Sequence, residues 1–89
     1  MLKQALAHHQ VGHIDQAELA YKEILRLSPE NPDALHFLGL IAYQNQDYDI
    51  ATNLIMKAIG ITPQNPIFFR HLGQTFQKQN KLDQAINSY

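Results

Sequence analysis

Histidine is the side chain in this sequence best suited to metal binding. The chain has five histidines and no cysteine. His9 and His13 have the i, i+4 spacing that can place two ligands on one face of a helix. Gly12 lies between them and favours a helix end there, and the register of His8 directs it toward the neighbouring helix rather than beside His9. We therefore expect no metal site and no cofactor.

Hydroxyl and carboxylate side chains give no better support for catalysis. A nucleophile needs a general base and an orienting partner around a concave site, and no serine, threonine or tyrosine here has such neighbours in the sequence. Asp47 and Asp49 lie two residues apart, so they do not converge on a helix, and both fit the start of a helix, where a carboxylate complements the helix dipole. We expect no intrinsic enzymatic activity.

Composition limits the remaining classes of function. The chain has 89 residues and a formal net charge of -1, with seven Lys and Arg against eight Asp and Glu. This length suits one small domain, and the absence of a basic excess argues against nucleic acid and anionic membranes as partners. Apolar stretches are only a few residues long, too short for a membrane span, and the polar residues Lys3, Gln4, His8 and His9 come too early for a signal peptide. The expected compartment is the cytoplasm.

A repeat of 34 residues organises the chain. Shifting the sequence by 34 positions superimposes Leu38-Gly39 on Leu72-Gly73 and Asn31-Pro32 on Asn65-Pro66. Three further columns recur, namely Asp15, Asp49 and Asp83; Ala17, Ala51 and Ala85; and the apolar Tyr21, Ile55 and Tyr89. So many coincident columns indicate a true internal repeat.

Each repeat predicts two helices. Asn31 and Asn65 are suited to N-caps, with a proline at the first helical position after each. From Pro32, apolar residues follow helical spacing as far as Gln44, which predicts a helix A. A second apolar stripe from Tyr48 to Ile59 predicts a helix B. The small residues at Gly39, Gly73, Ala51 and Ala85 are expected to let the two helices of a repeat approach closely.

The period, the Leu-Gly pair, the alanine twelve residues later and the proline twelve further on resemble the tetratricopeptide repeat (TPR) family. The resemblance covers the whole chain and implies an all-α fold, a right-handed superhelical solenoid of antiparallel helix pairs. About two and two-thirds repeats make one domain over residues 1–89. Its units are 1–31, which is partial; 32–65, which is complete; and 66–89, which is truncated.

The resemblance also implies a protein-protein interaction scaffold that binds an extended peptide or partner segment in a concave groove lined by the A helices. The groove positions of the family correspond here to Leu6, His9, Gln10, His36, Leu40, Tyr43, Gln44, Arg70, Gln74 and Gln77. Leu40 and Tyr43 are expected to form an apolar anchor site, and the glutamines are expected to hydrogen-bond a peptide backbone.

Two alternatives stay open. The turn over residues 12–18, followed by Tyr21, looks like the repeat arrays that precede bacterial glycosyltransferase or sulfotransferase domains, so the chain could position a substrate as the N-terminal part of a larger enzyme. The other alternative is a self-assembly unit. The third unit is expected to have a helix B of about eight residues, too short to be stable alone. We therefore expect a homo-oligomer that covers an apolar patch of Phe68, Phe69, Phe76, Ile86 and Tyr89.

Overall fold

The computed structural model describes the backbone of residues 2–87 and the side chains of residues 2–80. Five α-helices account for almost all of this part of the chain: α1 (Leu2–Gln10), α2 (Ile14–Leu27), α3 (Pro32–Gln44), α4 (Tyr48–Ile61) and α5 (Pro66–Asn87). Residues 2–87 contain no β-strand. The predicted all-α class of helical repeats is therefore confirmed.

Asparagine and proline start two of the helices as the sequence predicts. The Asn31 Oδ1 accepts a hydrogen bond of 3.0 Å from the backbone N–H of Ala34, and Pro32 is the first residue of α3. Asn65 Oδ1 accepts a 3.0 Å bond from the N–H of Ile67 at the start of α5. Each side chain satisfies a backbone donor that a helix start leaves without an intrahelical partner.

The turns inside the first two helix pairs have the same geometry, 34 residues apart. Gly12 has a φ of 86° and Gln46 has a φ of 67°, both in the left-handed region. In each turn the next residue donates a backbone hydrogen bond of 2.8 Å to the helix that has just ended, from His13 to His8 and from Asp47 to Ala42. This pattern is a helix C-terminal motif that needs one left-handed residue.

The third unit departs from this pattern. The residue one period beyond Gln46 is Asn80, and α5 continues through it as a single helix of 22 residues. Residues 77–81 contain neither glycine nor proline, and their glutamines and lysines are good helix formers. The expected turn and separate eight-residue helix B are therefore absent from the described backbone. The units at 1–31, 32–65 and 66–89 stay a prediction.

Two apolar clusters hold the helices together, and α3 contributes to both. The first joins α1, α2 and α3, and the second joins α3, α4 and α5 through Leu35, Ala58 and Phe68. Small residues allow close helix contacts. The fully buried alanines are Ala5, Ala17, Ala34, Ala51 and Ala58.

The two helical glycines of the repeated Leu-Gly pair have different surroundings. A Cβ atom added at Gly39 would lie 2.8 Å from Ile55 Cγ1 and 3.4 Å from the carbonyl oxygen of Ala51, so α3 and α4 meet as closely as predicted. A Cβ added at Gly73 would have no neighbour within 4 Å. The same expectation for Gly73 is therefore wrong, because no described helix packs against that side of α5.

This difference predicts that replacing glycine by leucine affects stability differently at the two positions. Gly39→Leu should lower the free energy of unfolding by about 1 to 3 kcal/mol, because a larger side chain overpacks the α3–α4 contact. Gly73→Leu should leave it unchanged or raise it by up to about 1 kcal/mol, because glycine weakens an exposed helix interior. Urea unfolding of both variants measures the difference, and equal losses would contradict the register of α3 on α4.

Candidate functional site

Three aromatic rings, one from each of α1, α2 and α3, contact one another. Tyr21 of α2 is fully buried, and its hydroxyl lies 3.2 Å from the Nδ1 atom of His9 on α1. The Tyr21 ring stacks on Phe37 of α3, with centroids 5.5 Å apart and planes within 16°. His9 meets Phe37 edge-on at 6.4 Å. The cluster therefore fixes the ring of His9 relative to α3.

The Tyr21 contact also affects what His9 can offer a ligand. Burial raises the pKa of the Tyr21 phenol, so the hydroxyl keeps its proton at neutral pH. When this hydroxyl donates to Nδ1, the neutral imidazole carries its own proton on Nε2. His9 then presents an N–H donor beside an apolar surface.

A cavity of about 250 Å³ lies between α1 and α3 and is lined by Leu6, His9, Gln10, Phe37 and Leu40. Four of these five residues are ones that the sequence assigned to the groove. Phe37 was not assigned to the groove. Two features of the sequence could have indicated it: it adjoins the groove position His36, and it is an aromatic residue in a helix that has no charged residue after Asp33. The cavity has apolar walls with one imidazole and one amide, a composition suited to a peptide segment.

His36 is instead buried, with 4% of its surface exposed, although the sequence assigned it to the groove surface. Its Nε2 atom lies 2.6 Å from Nδ1 of His71 on α5, and its ring centroid lies 4.6 Å from that of Phe68. The two imidazole planes agree within 7° and their centroids are 4.8 Å apart. This separation is close to the N–N distance plus both ring radii, so the rings meet edge to edge in nearly one plane.

This imidazole pair shares a single proton between the facing nitrogens, because one must donate and the other must accept. Burial, and then the neighbouring His71, lower the pKa of His36 to about 4. Burial, and then Arg70, lower the pKa of His71. Both rings are therefore neutral at physiological pH, and the hydrogen bond joins α3 to α5.

Family comparison agrees with the fold. Residues 10–89 match the family described as anaphase-promoting complex, cyclosome, subunit 3, which is a TPR-type repeat family. The chain belongs to this family. The resemblance to TPR proteins that the 34-residue period indicates is thereby confirmed.

Several curated relatives of this TPR chain carry the description "Peroxisomal targeting signal receptor". The protein from Eremothecium gossypii is 26% identical over 83 residues, which are 89% of this chain and 15% of that protein. The protein from Saccharomyces cerevisiae is 27% identical over 81 residues, which are 86% of this chain and 13% of that protein. The TPR chain thus spans less than a sixth of the length of these relatives. A role in protein-protein interaction follows from the family.

The remaining groove residues of the TPR chain do not line the α1–α3 cavity. Tyr43 is half-buried and meets Tyr48 edge-on, with centroids 5.6 Å apart. The other four are exposed, one at the end of α3 and three on α5: Gln44, Arg70, Gln74 and Gln77. Their part in a continuous groove stays a prediction.

Polar contacts that the repeat did not predict hold α5 against α4. The Gln79 amide donates to Asp49 Oδ1 at 2.7 Å and accepts from the Thr52 hydroxyl at 3.1 Å. Asp49 lies in the first turn of α4, as predicted. The partner Gln79 is 30 residues away, so no local pattern indicates it.

The predicted self-association residues do not form one exposed patch. Phe68 is buried, with 2% exposure, beneath His36, while Phe69 and Phe76 are 49% and 43% exposed. Ile86 and Tyr89 lie outside the residues whose side chains are described. Burial of Phe68 follows from its place on the α5 face that packs on α3.

The histidine pair considered for metal binding is separated as the glycine between its members predicts. The first helix ends at Gln10, His9 contacts Tyr21, and the ring of His13 lies 5.9 Å from that of His8. Residues 2–80 contain no group of three or more His, Asp or Glu side chains placed to hold a metal ion. Nor does any helix within residues 2–87 combine the length and hydropathy that a membrane span requires.

Burial of His36 predicts a pH-dependent stability. The unfolded chain binds a proton at the usual histidine pKa of 6.5, whereas the folded chain binds it at about 4. The unfolded state therefore holds more protons between these values, and folding stability falls as the pH drops through this window.

We expect His36→Phe to remove this contribution. Between pH 7 and pH 4.5 the free energy of unfolding should fall by on the order of 2 kcal/mol less in the variant than in the unsubstituted chain. Urea unfolding at a series of pH values measures it, with the exposed His13→Gln variant as the control. Parallel stability curves for the His36→Phe variant and the unsubstituted chain would contradict the prediction.

Proposed function

We propose that this chain is a non-catalytic binding module that holds an extended segment of another protein on its concave side. The observation that carries the proposal is the α1–α3 cavity, whose walls combine Leu6, Phe37 and Leu40 with the polar groups of His9 and Gln10. An apolar site with a few polar groups can anchor one side chain of a bound segment. Neighbouring amides can then hydrogen-bond its backbone.

The relatives support a peptide as the ligand. Their name describes a receptor for a targeting signal, and a signal carried by other proteins is a segment of polypeptide. The TPR chain covers only a small part of those receptors, so the ligand of the whole protein is part of this proposal. The exposed glutamines at the end of α3 and along α5 extend the candidate surface beyond the cavity.

The alternative of a larger enzyme stays a prediction. No described residue favours a glycosyltransferase-like or sulfotransferase-like partner domain over a receptor. A cytoplasmic location and the absence of nucleic-acid and membrane partners also stay predictions from composition.

Leu40 gives the sharpest test of the groove. Peptides that bind the unsubstituted chain are selected from a random display library, alongside a peptide carrying a peroxisomal targeting signal. Leu40→Ala should weaken the best binder by roughly tenfold, because the change removes an apolar wall at the centre of the contact. The matched control is Leu19→Ala on α2, where leucine is 69% exposed. Isothermal titration calorimetry measures both, and equal affinities would contradict the proposed site.

Self-association is a second candidate function, favoured by one observation. Phe69 and Phe76 flank Gly73 on a side of α5 that no described helix covers, and exposed apolar surface of this kind marks interfaces. In the second unit, α4 covers the equivalents of Phe69 and Gly73, because Leu35 packs with Ala58 and Gly39 contacts Ile55. A second copy of the chain is the proposed cover in the third unit.

Sedimentation at rising protein concentration tests this second candidate. We expect concentration-dependent dimers or larger species for the unsubstituted chain. Phe69→Glu should weaken association at least tenfold, because it introduces a charge into the buried contact. Gln74→Glu places the same charge on another side of α5 and should have no effect. A constant monomer mass would contradict self-association.

A further inference from the structure

A second cavity, of about 280 Å³, lies between α2, α3 and α4. It opens on another side of α3 from the groove cavity and shares no lining residue with it. Leu38, Ile41 and Ala42 of α3 form its base, and each of them is less than a tenth exposed. An apolar base of this size accepts one ring-sized group rather than a peptide backbone.

The rim of this cavity carries more negative than positive charge. Glu18 and Lys22 of α2 and Asp47 at the start of α4 line it. The Lys22 ammonium is held by Glu18 at 3.0 Å. The Asp47 carboxylate makes no capping hydrogen bond to its own helix. Asp47 is therefore available to a cation from outside.

The repeat explains why the cavity exists. The residues one period before Ala42 and Asp47 are His8 and His13, whose rings lie 5.9 Å apart at the first helix turn. The residue one period after Ala42 is Phe76. At this repeat position the second unit has the methyl group of Ala42, whereas the other two units have the rings of His8 and Phe76. The cavity lies at the place where the first unit has the His8 ring beside the residue equivalent to Asp47.

We propose that this cavity binds one aromatic side chain of a partner protein, presented next to a lysine or arginine. The ring would contact Leu38, Ile41 and Ala42, and would be the counterpart of the His8 ring in the first unit. The neighbouring cation would pair with Asp47 and add a charge-assisted hydrogen bond. This surface is separate from the proposed groove, so one chain can engage two partner segments at once.

The probe for this site is the dipeptide N-acetyl-phenylalanyl-lysine amide, and its matched control is N-acetyl-phenylalanyl-glutamate amide. Amide resonances of Ala42 and Asp47 are followed by NMR during titration. We expect saturable shifts with the lysine dipeptide. The glutamate dipeptide should bind about threefold more weakly, because an exposed charge pair contributes little.

Three variants locate the binding. Ala42→Phe puts a ring into the cavity and should abolish the shifts, while Ala7→Phe, on the exposed side of α1, should preserve them. Asp47→Asn changes no volume and should remove the preference for lysine over glutamate, which keeps the proposal testable if Ala42→Phe fails to fold.

Leu40→Ala separates this site from the groove and should not affect dipeptide binding. The proposal is overturned if neither dipeptide binds at millimolar concentration, or if a folded Ala42→Phe variant binds as well as the unsubstituted chain. It is also overturned if Asp47→Asn keeps the preference for the lysine dipeptide, or if Leu40→Ala abolishes the shifts at Ala42 and Asp47.

Discussion

The close contact of α3 with α4 at Gly39 determines how the other helices can pack. Ile55 lies closer to Gly39 than a Cβ atom at residue 39 would allow, so α3 and α4 pack tightly at this point. Helix α3 also contributes to both apolar clusters, which makes it central among the described helices. Seven of its 13 residues are buried. They face α2 on one side, α4 on another and α5 through His36, so each candidate surface is built partly on this helix.

Local features of the fold could be predicted because their causes lie within a few residues. Asn31 caps α3 through a bond to a residue three positions on, and Gly12 ends α1 through its own backbone conformation. The contacts of α5 could not be predicted in this way. His36 and His71 are 35 residues apart, and a repeat register gives the face of each residue but not which polar atoms meet across helices.

The candidate site was predictable to a similar degree and for the same reason. Leu6, His9, Gln10 and Leu40 share a helix face that the repeat register identifies, and they meet in one cavity. Phe37 and Tyr21 enter the site through ring contacts between helices, which depend on the rotation of α3 against α2. His36 sits one residue before Phe37, and that same rotation turns it under α5 rather than toward the groove.

Phe37 connects the groove to the α3–α5 contact. Its ring lies 6.4 Å from His9 and 5.2 Å from His36, and His36 in turn holds His71. A change that displaces α5 therefore alters the packing on one side of a residue that lines the groove cavity on its other side. The base of the second cavity lies on another side of α3, and its Leu38 and Ile41 belong to the apolar cluster against which Phe37 packs. Acidification should accordingly loosen the α3–α5 contact, because burial lowers the pKa of both His36 and His71 and their protonation disfavours the folded state. The change should reach the groove cavity through Phe37, which contacts His36.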